Sequence, residues 1–207
     1  MIVIMPARLR IMDSPPSRKE ITHERIVATA ARAIRRGGFG GVGVADIMKE
    51  AGLTHGGFYA HFSSRNALLA EALVRAGQDS ADRVAHGAAV RQARGASALR
   101  ALVEGYLSER HLGDLEAGCP VAALASEMPR QSAEVREAAA QRVRGLVAAV
   151  QRALPKRAPA DSGPAIASQL VGALQLARAL GDNAEGQALL KASRRALLAQ
   201  YDHPRSD

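Results

Sequence analysis

The chain has 207 residues, a single Cys, no Trp, and 28 Lys and Arg against 20 Asp and Glu, for a formal net charge of +8. That length holds one large or two small domains with a genuine core, and one cysteine excludes an intrachain disulfide and suits a reducing cytoplasm. With aromatics at 3%, the interior must be built from Ala, Leu, Val and Ile. Ala-rich windows with Arg, Glu and Gln recur while period-2 alternation is scarce, so the expected fold class is all-α, with about nine helices.

Residues 1–65 hold 10 Lys and Arg against 5 Asp and Glu, a balance of +5, whereas residues 66–207 hold 18 against 15, or +3. A basic excess gathered near the N-terminus suits a phosphate-binding surface, although a plain solvated surface has the same count. Met1 to Met5 is apolar, but Pro6, Arg8 and Arg10 end it well short of a signal-peptide core or a membrane span, so a soluble, cytoplasmic chain is expected. Met12 is an alternative start. Residues 1–19, with Pro6, Pro15 and Pro16 and several cations, read as a flexible basic arm, either a simple tail or one that brings Arg18 and Lys19 to DNA. Thr22 is a plausible cap for a first helix with Ile26, Ala30, Ala33 and Ile34 inward; Arg35-Arg36-Gly37-Gly38 closes it, and Phe39 packs beneath the next pair of helices.

Gly43 to Phe62, GVADIMKEAGLTHGGFYAHF, organises the rest. It reads as two short helices at a tight turn, with Val44, Ile47 and Met48 inward on the first and Phe58 and Phe62 inward on the second. Gly52 can take the left-handed conformation that stops one helix, and the Thr54 hydroxyl can cap the next. That is a helix-turn-helix layout. On a 100° step, Gly56 and Ala60 lie opposite the phenylalanines, with Gly57 and Tyr59 beside them and His55 and His61 on the flanks. A solvated face would carry Glu, Lys or Gln; two glycines in a first turn cost up to about 1 kcal/mol each against alanine, which points to something large approaching the backbone. A DNA major groove fits. His55, Gly56, Gly57 and Ala60 are then base-facing, and Lys49 adds a backbone contact.

The order Gly-Leu-x-x-Gly-x-Phe-Tyr-x-His-Phe-x-x-Arg in GLTHGGFYAHFSSRNALL, together with Ile26 to Phe39, resembles the DNA-binding half of the tetracycline-repressor (TetR) family of bacterial transcription regulators, over roughly Ser17 to Ala76. The sequence departs from that family's pattern at Gly43, Gly57 and Ala60. The resemblance implies phosphate-side roles for Tyr59, His61 and Arg65, a homodimer through the last two helices, and a small-molecule inducer bound in the C-terminal domain. From the residues alone, His61 is also readable as a packed histidine and Tyr59 as a capping aromatic.

The expected domains are the arm, residues 1–19; a three-helix helix-turn-helix domain, residues 20–65; and a helical-bundle domain for ligand binding and dimerisation, residues 66–204. Ser64 caps a long linking helix with Leu68, Leu69, Ala72, Leu73 and Ala76 on one stripe, interrupted by Gly77 and Gly87. A helix over Ala98–Leu112, a short one over Val121–Met128 ended by Pro129, and one from a Ser132 cap to Leu154 come next; residues 155–164 form a breaker-rich loop. The last two helices, about Ala165–Leu180 and Ala184–Tyr201, either complete a monomeric core or meet their copy as a four-helix interface. Tyr106, Leu124, Met128, Leu146 and Val150 are apolar candidates for a ligand pocket, and Glu127 is a polar one. Cys119 lies in GCPVAAL, a segment resembling one in a subset of the family; it is either a buried small residue or an electrophile or redox sensor.

No nucleophile elbow, phosphate loop or metal-ligand cluster appears, and His111 with Cys119 lacks a third orienting group, so no enzyme, cofactor or metal site is expected. The resulting expectation is a DNA-binding regulator of a palindromic operator, most simply a repressor released by ligand. A sequence-indifferent DNA-coating protein, a helical interaction module and a small hydrolase built on Cys119 are the rivals.

Overall fold

In the computed structural model, which describes residues 15–156 and 158–202, the first helix starts ahead of Thr22. Helix α1 (Arg18–Gly37) is capped by Ser17, whose hydroxyl accepts from the Glu20 amide at 3.2 Å while the Glu20 carboxylate accepts from the Ser17 amide at 2.6 Å. This reciprocal pair satisfies two free amides at once. Thr22 sits inside the helix instead, its hydroxyl donating to the Arg18 carbonyl at 2.8 Å. Arg18 and Lys19, expected in the arm, are therefore helical, and residues 1–14 of that arm lie outside the described residues.

Helix α2 (Val44–Glu50) ends at Ala51, and Gly52 takes φ +70°, as the turn requires. The chain continues through a 3-10 segment (His55–Ala60), α3 (Arg65–Gln92), α4 (Ala98–Tyr106), α5 (Glu109–Gly113), α6 (Pro120–Leu124), a 3-10 turn (Met128–Arg130), α7 (Ala133–Ala153), α8 (Ser162–Leu180) and α9 (Ala184–Tyr201), and no strand occurs among the described residues.

Several boundaries differ from the sequence expectation for local reasons. The expected Ala98–Leu112 helix is split, because the Ser108 hydroxyl donates to the Gly105 carbonyl and accepts from the His111 amide, which ends α4 and starts α5. The Val121–Met128 helix divides likewise, and Pro129 sits within the 3-10 turn. Ser132 precedes α7, but its buried hydroxyl makes no cap bond. Gly77 and Gly87 do not interrupt α3, which runs unbroken for 28 residues. Gly77 makes room for a neighbour: a Cβ there would collide with the Arg142 stem of α7.

Two apolar cores result. The first gathers Ile26, Ala30 and Ile34 of α1, Phe39, Ile47, Phe58 and Phe62, and the Leu68–Ala76 stripe of α3. It also takes in Leu124, Met128, Val135 and Ala139 from beyond the expected domain boundary. The second is built by α4 with α7, α8 and α9, around Leu99, Val103, Leu107, Ile166, Leu170 and Leu190. On α7, Val135, Ala139 and Val150 are buried as expected, whereas Val143 is 41% exposed.

Candidate nucleic-acid interface

Phe58 and Phe62 are buried and stacked at 5.6 Å between ring centroids, which fixes the orientation of the segment they carry. That segment is a 3-10 helix, not the expected α-helix: the Gly57 amide donates to the Thr54 carbonyl at 3.1 Å and the His61 amide to the Phe58 carbonyl at 2.9 Å. Paired glycines disfavour the α-form, and a six-residue 3-10 run is long for that geometry. The Thr54 hydroxyl makes no cap bond, contrary to expectation.

The outward side is nevertheless as bare as the sequence suggests. Thr54, His55, Gly56, Tyr59 and Ala60 are exposed, Gly57 is half-buried, and a Cβ on Gly56 would meet nothing within 4 Å. Tyr59 is 73% exposed with its ring edge-on to Phe58, so it is no capping aromatic. Lys49 is exposed at the end of α2.

Two of the expected phosphate-side residues are partly buried. Arg65 is half-buried, and one terminal nitrogen donates to the carbonyls of both Phe39 and Val42, the latter at 3.1 Å; it ties the loop before α2 to the start of α3. His61 is half-buried with Nδ1 unpartnered and His23 at 6.1 Å, and burial first, then the charge of His23, lowers its pKa. His23 itself stacks on Phe62 at 4.5 Å and bonds Glu71 at 2.7 Å.

The ligand-pocket candidates separate into two places. A cavity of about 670 Å³ lies between α3, α4, the start of α6 and α7, and Tyr106, Leu146 and Cys119 line it. Leu124, Met128 and Glu127 do not. The first two belong to the core beneath the helix-turn-helix, and the Glu127 carboxylate accepts from the Phe39 amide at 2.9 Å and lies over Gly38, which has φ +76°. Val150 is fully buried in the second core, away from the cavity lining. Cys119 is 5% exposed. Its amide donates to His111 Nε2 at 2.9 Å, and since His111 Nδ1 lies 2.7 Å from the Tyr106 carbonyl, the ring is the neutral Nδ1–H form. Burial lowers the His111 pKa to about 4 and pushes the Tyr106 hydroxyl well above its ordinary value.

The residue that sequence reasoning missed is Arg35. Only 5% exposed, it donates from Nε to the Ala31 carbonyl at 2.9 Å and from Nη1 to the carbonyls of Ala76 (3.3 Å) and Gly118 (3.4 Å), with Asp79 Oδ2 at 3.6 Å from Nη2. It joins α1, α3 and the residue preceding Cys119. Burial lowers its pKa, partly countered by Asp79. The signal is a second stripe, Val27–Ala31–Arg35 at i, i+4, i+8, whose first two members are buried.

An exposed, side-chain-poor segment on a buried aromatic pair, preceded by a short helix and a left-handed glycine turn, defines a helix-turn-helix transcription regulator. The chain belongs to the TetR family: residues 26–72 match "Bacterial regulatory proteins, tetR family" and residues 95–193 match "Tetracyclin repressor-like, C-terminal domain". It is 31% identical over 189 residues to the uncharacterized HTH-type transcriptional regulator Rv0196 of Mycobacterium tuberculosis, covering 86% of this chain and 94% of that one. It is 41% identical to Bacillus subtilis YerO, another such regulator, over 49 residues, 24% of this chain and 17% of that one. Among solved structures it resembles E. coli NemR in its reduced form (TM-score 0.70, 20% identity, 86% and 95% of the two chains covered) and a TetR transcriptional regulator from Chloroflexus aurantiacus (TM-score 0.70, 23% identity, 88% and 96% covered). No helix of the described residues is long and apolar enough to cross a membrane.

Proposed function

We propose that the chain is a cytoplasmic repressor that holds a palindromic operator as a homodimer and releases it when a small molecule enters the α3–α4–α7 cavity. The observation that carries the DNA-reading part is the open space around Gly56, where a base pair can approach main chain without displacing protein atoms. One such segment reads too few bases to select a single site, so two must be held about one DNA turn, roughly 34 Å, apart.

The outer side of α8 and α9 supports the dimer. Leu176 is 60% and Leu180 38% exposed at i and i+4 on α8, and Ala188, Ala192, Ala196 and Ala199 form an exposed small-residue stripe on α9 along which a second copy can approach closely. Coupling is supported by α6. Its cap residue Cys119 and its first residues Pro120 and Val121 line the cavity, its last residue Leu124 is in the helix-turn-helix core, and its five residues span only about 7.5 Å.

Selection of bound sequences from random DNA tests this reading and is expected to return a palindrome with half-sites one turn apart. On that operator, Gly56→Glu brings a negative charge to the reading face without a steric clash, so melting and dimerisation stay unchanged while affinity falls more than about tenfold, or about 1.4 kcal/mol. Affinity retained within about threefold would refute the docking.

A further inference from the structure

We propose that the α3–α4–α7 cavity takes an apolar ligand bearing one anionic group, held by Arg142 at the end of the cavity nearest the helix-turn-helix. This rests on reading the cavity as the effector site and adds the chemical class of what enters it.

Most of the wall is apolar and small. Ala81, Ala85, Ala88 and Ala89 on α3 face Leu102 on α4 and Leu146 on α7, and the short alanine side chains are why a gap of about 670 Å³ remains between helices that otherwise pack closely. The charged groups on the wall are Arg142, Arg152 and Asp82, a formal excess of one positive charge. Asp82 already accepts from Gln78 at 3.4 Å, whereas neither arginine forms an ion pair among the described residues.

Arg142 is placed rather than free. Its stem crosses α3 at Gly77, where any Cβ would collide with it, and its Nε–H is buried without an acceptor. The guanidinium it carries lines the cavity with no carboxylate paired to it among the described residues, so an anionic oxygen there gains a charge-assisted bond.

The position matters as much as the charge. Gly77 follows Ala76 and Cys119 follows Gly118, the two residues whose carbonyls Arg35 holds. An anion drawn to Arg142 therefore sits beside the junction that ties α1 to the second core.

Calorimetric titration of the full chain at pH 7.5 with decanoate, decan-1-ol and decyltrimethylammonium separates charge from chain length. Decanoate is expected to bind one site per chain at least about tenfold more tightly than decanol, and the ammonium to be the weakest. Arg142→Gln should bring decanoate down to the level of decanol and leave decanol unchanged, with Arg142→Lys restoring part of the difference. Gly77→Ala, which keeps Arg142 but displaces its stem, should also narrow the gap; it gives an independent reading if Arg142→Gln fails to fold. Equal binding of decanoate and decanol, preference for the ammonium, no saturable binding of any probe, or a preference untouched by both variants would overturn the proposal. Operator affinity measured in the same samples keeps the two readings apart. Selective decanoate binding that leaves operator affinity unchanged upholds the ligand class and sinks the effector reading, whereas operator release by decanol alone sinks the ligand class only.

Discussion

Replacing Arg35 by Met removes a cross-link between the DNA-reading half and the cavity wall while keeping volume in a site only 5% exposed. The stability effect works out small. The bonds from Nη1 to the Ala76 and Gly118 carbonyls are long, at 3.3 and 3.4 Å, so each contributes less than about 1 kcal/mol. Asp79 is not stranded, because Arg75 Nε donates to it at 2.8 Å, and the Ala76 carbonyl lies within continuous helix α3. The Nε bond to the Ala31 carbonyl at 2.9 Å is lost too, but that carbonyl lies within helix α1, so only the Gly118 carbonyl is left without a partner, and relief of guanidinium desolvation offsets part of the loss. The expected destabilisation is about 1–2 kcal/mol by urea unfolding. The effect on communication is larger. If operator binding and the cavity are linked, the linkage is reciprocal, so operator should change amide exchange at Cys119, whose N–H is bonded to His111. In Arg35→Met that operator-dependent change should vanish. A loss above about 4 kcal/mol, or an operator effect at Cys119 that survives the substitution, would refute the reasoning.

Two further outcomes are expected. His111 has a folded-state pKa of about 4 against an ordinary 6.5, so the unfolded chain binds the extra proton between those values; the stabilisation, about 3 kcal/mol, is complete above pH 6.5 and lost as pH falls toward 4. Urea midpoints at pH 7.5, 5.5 and 4.5 should therefore fall less steeply in His111→Gln than in the unaltered chain, and equal slopes would contradict the assignment. Leu176→Glu places a charge in the middle of the exposed α8 face and should convert a dimer to a monomer in sedimentation equilibrium with unchanged helix content; a persistent dimer would move the interface elsewhere.

What the sequence reveals is governed by neighbours in the chain. The left-handed Gly52, the inward pair Phe58 and Phe62 and the start of α9 at Ala184 depend on residues within a turn or two, and each is as expected. What stays hidden depends on partners far along the chain. Arg35 reads as a cation closing a helix because two of its three carbonyl acceptors are 41 and 83 residues away, and the hold of Arg65 on the loop before α2 is hidden because those carbonyls lie 23 to 26 residues earlier. Leu124, Glu127 and Met128 read as pocket because hydrophobicity marks burial without saying which core receives the side chain. The cavity has the opposite problem: it exists where α3 carries small residues, and a run of alanines carries no periodic signal of a space beside it.

The same placement explains why a modest ligand would suffice in the proposed reading. The cavity borders α3 from Gly77 to Gln92, whereas the helix-turn-helix core grips α3 from Leu68 to Ala76, so the two functions occupy opposite parts of one unbroken helix. At 28 residues that helix is about 42 Å long, and a tilt of about 5° about its far end displaces its start by about 4 Å. Hydrogen bonds to base edges are lost over a small fraction of that distance. Arg35, Glu127 and the Leu124–Met128 contacts bind the reading segment to α3 and α6 as one body, so the displacement would not be absorbed at a hinge between them. In that reading a flexible link there would insulate DNA from the cavity, whereas the buried arginine and the shared core would carry the displacement across.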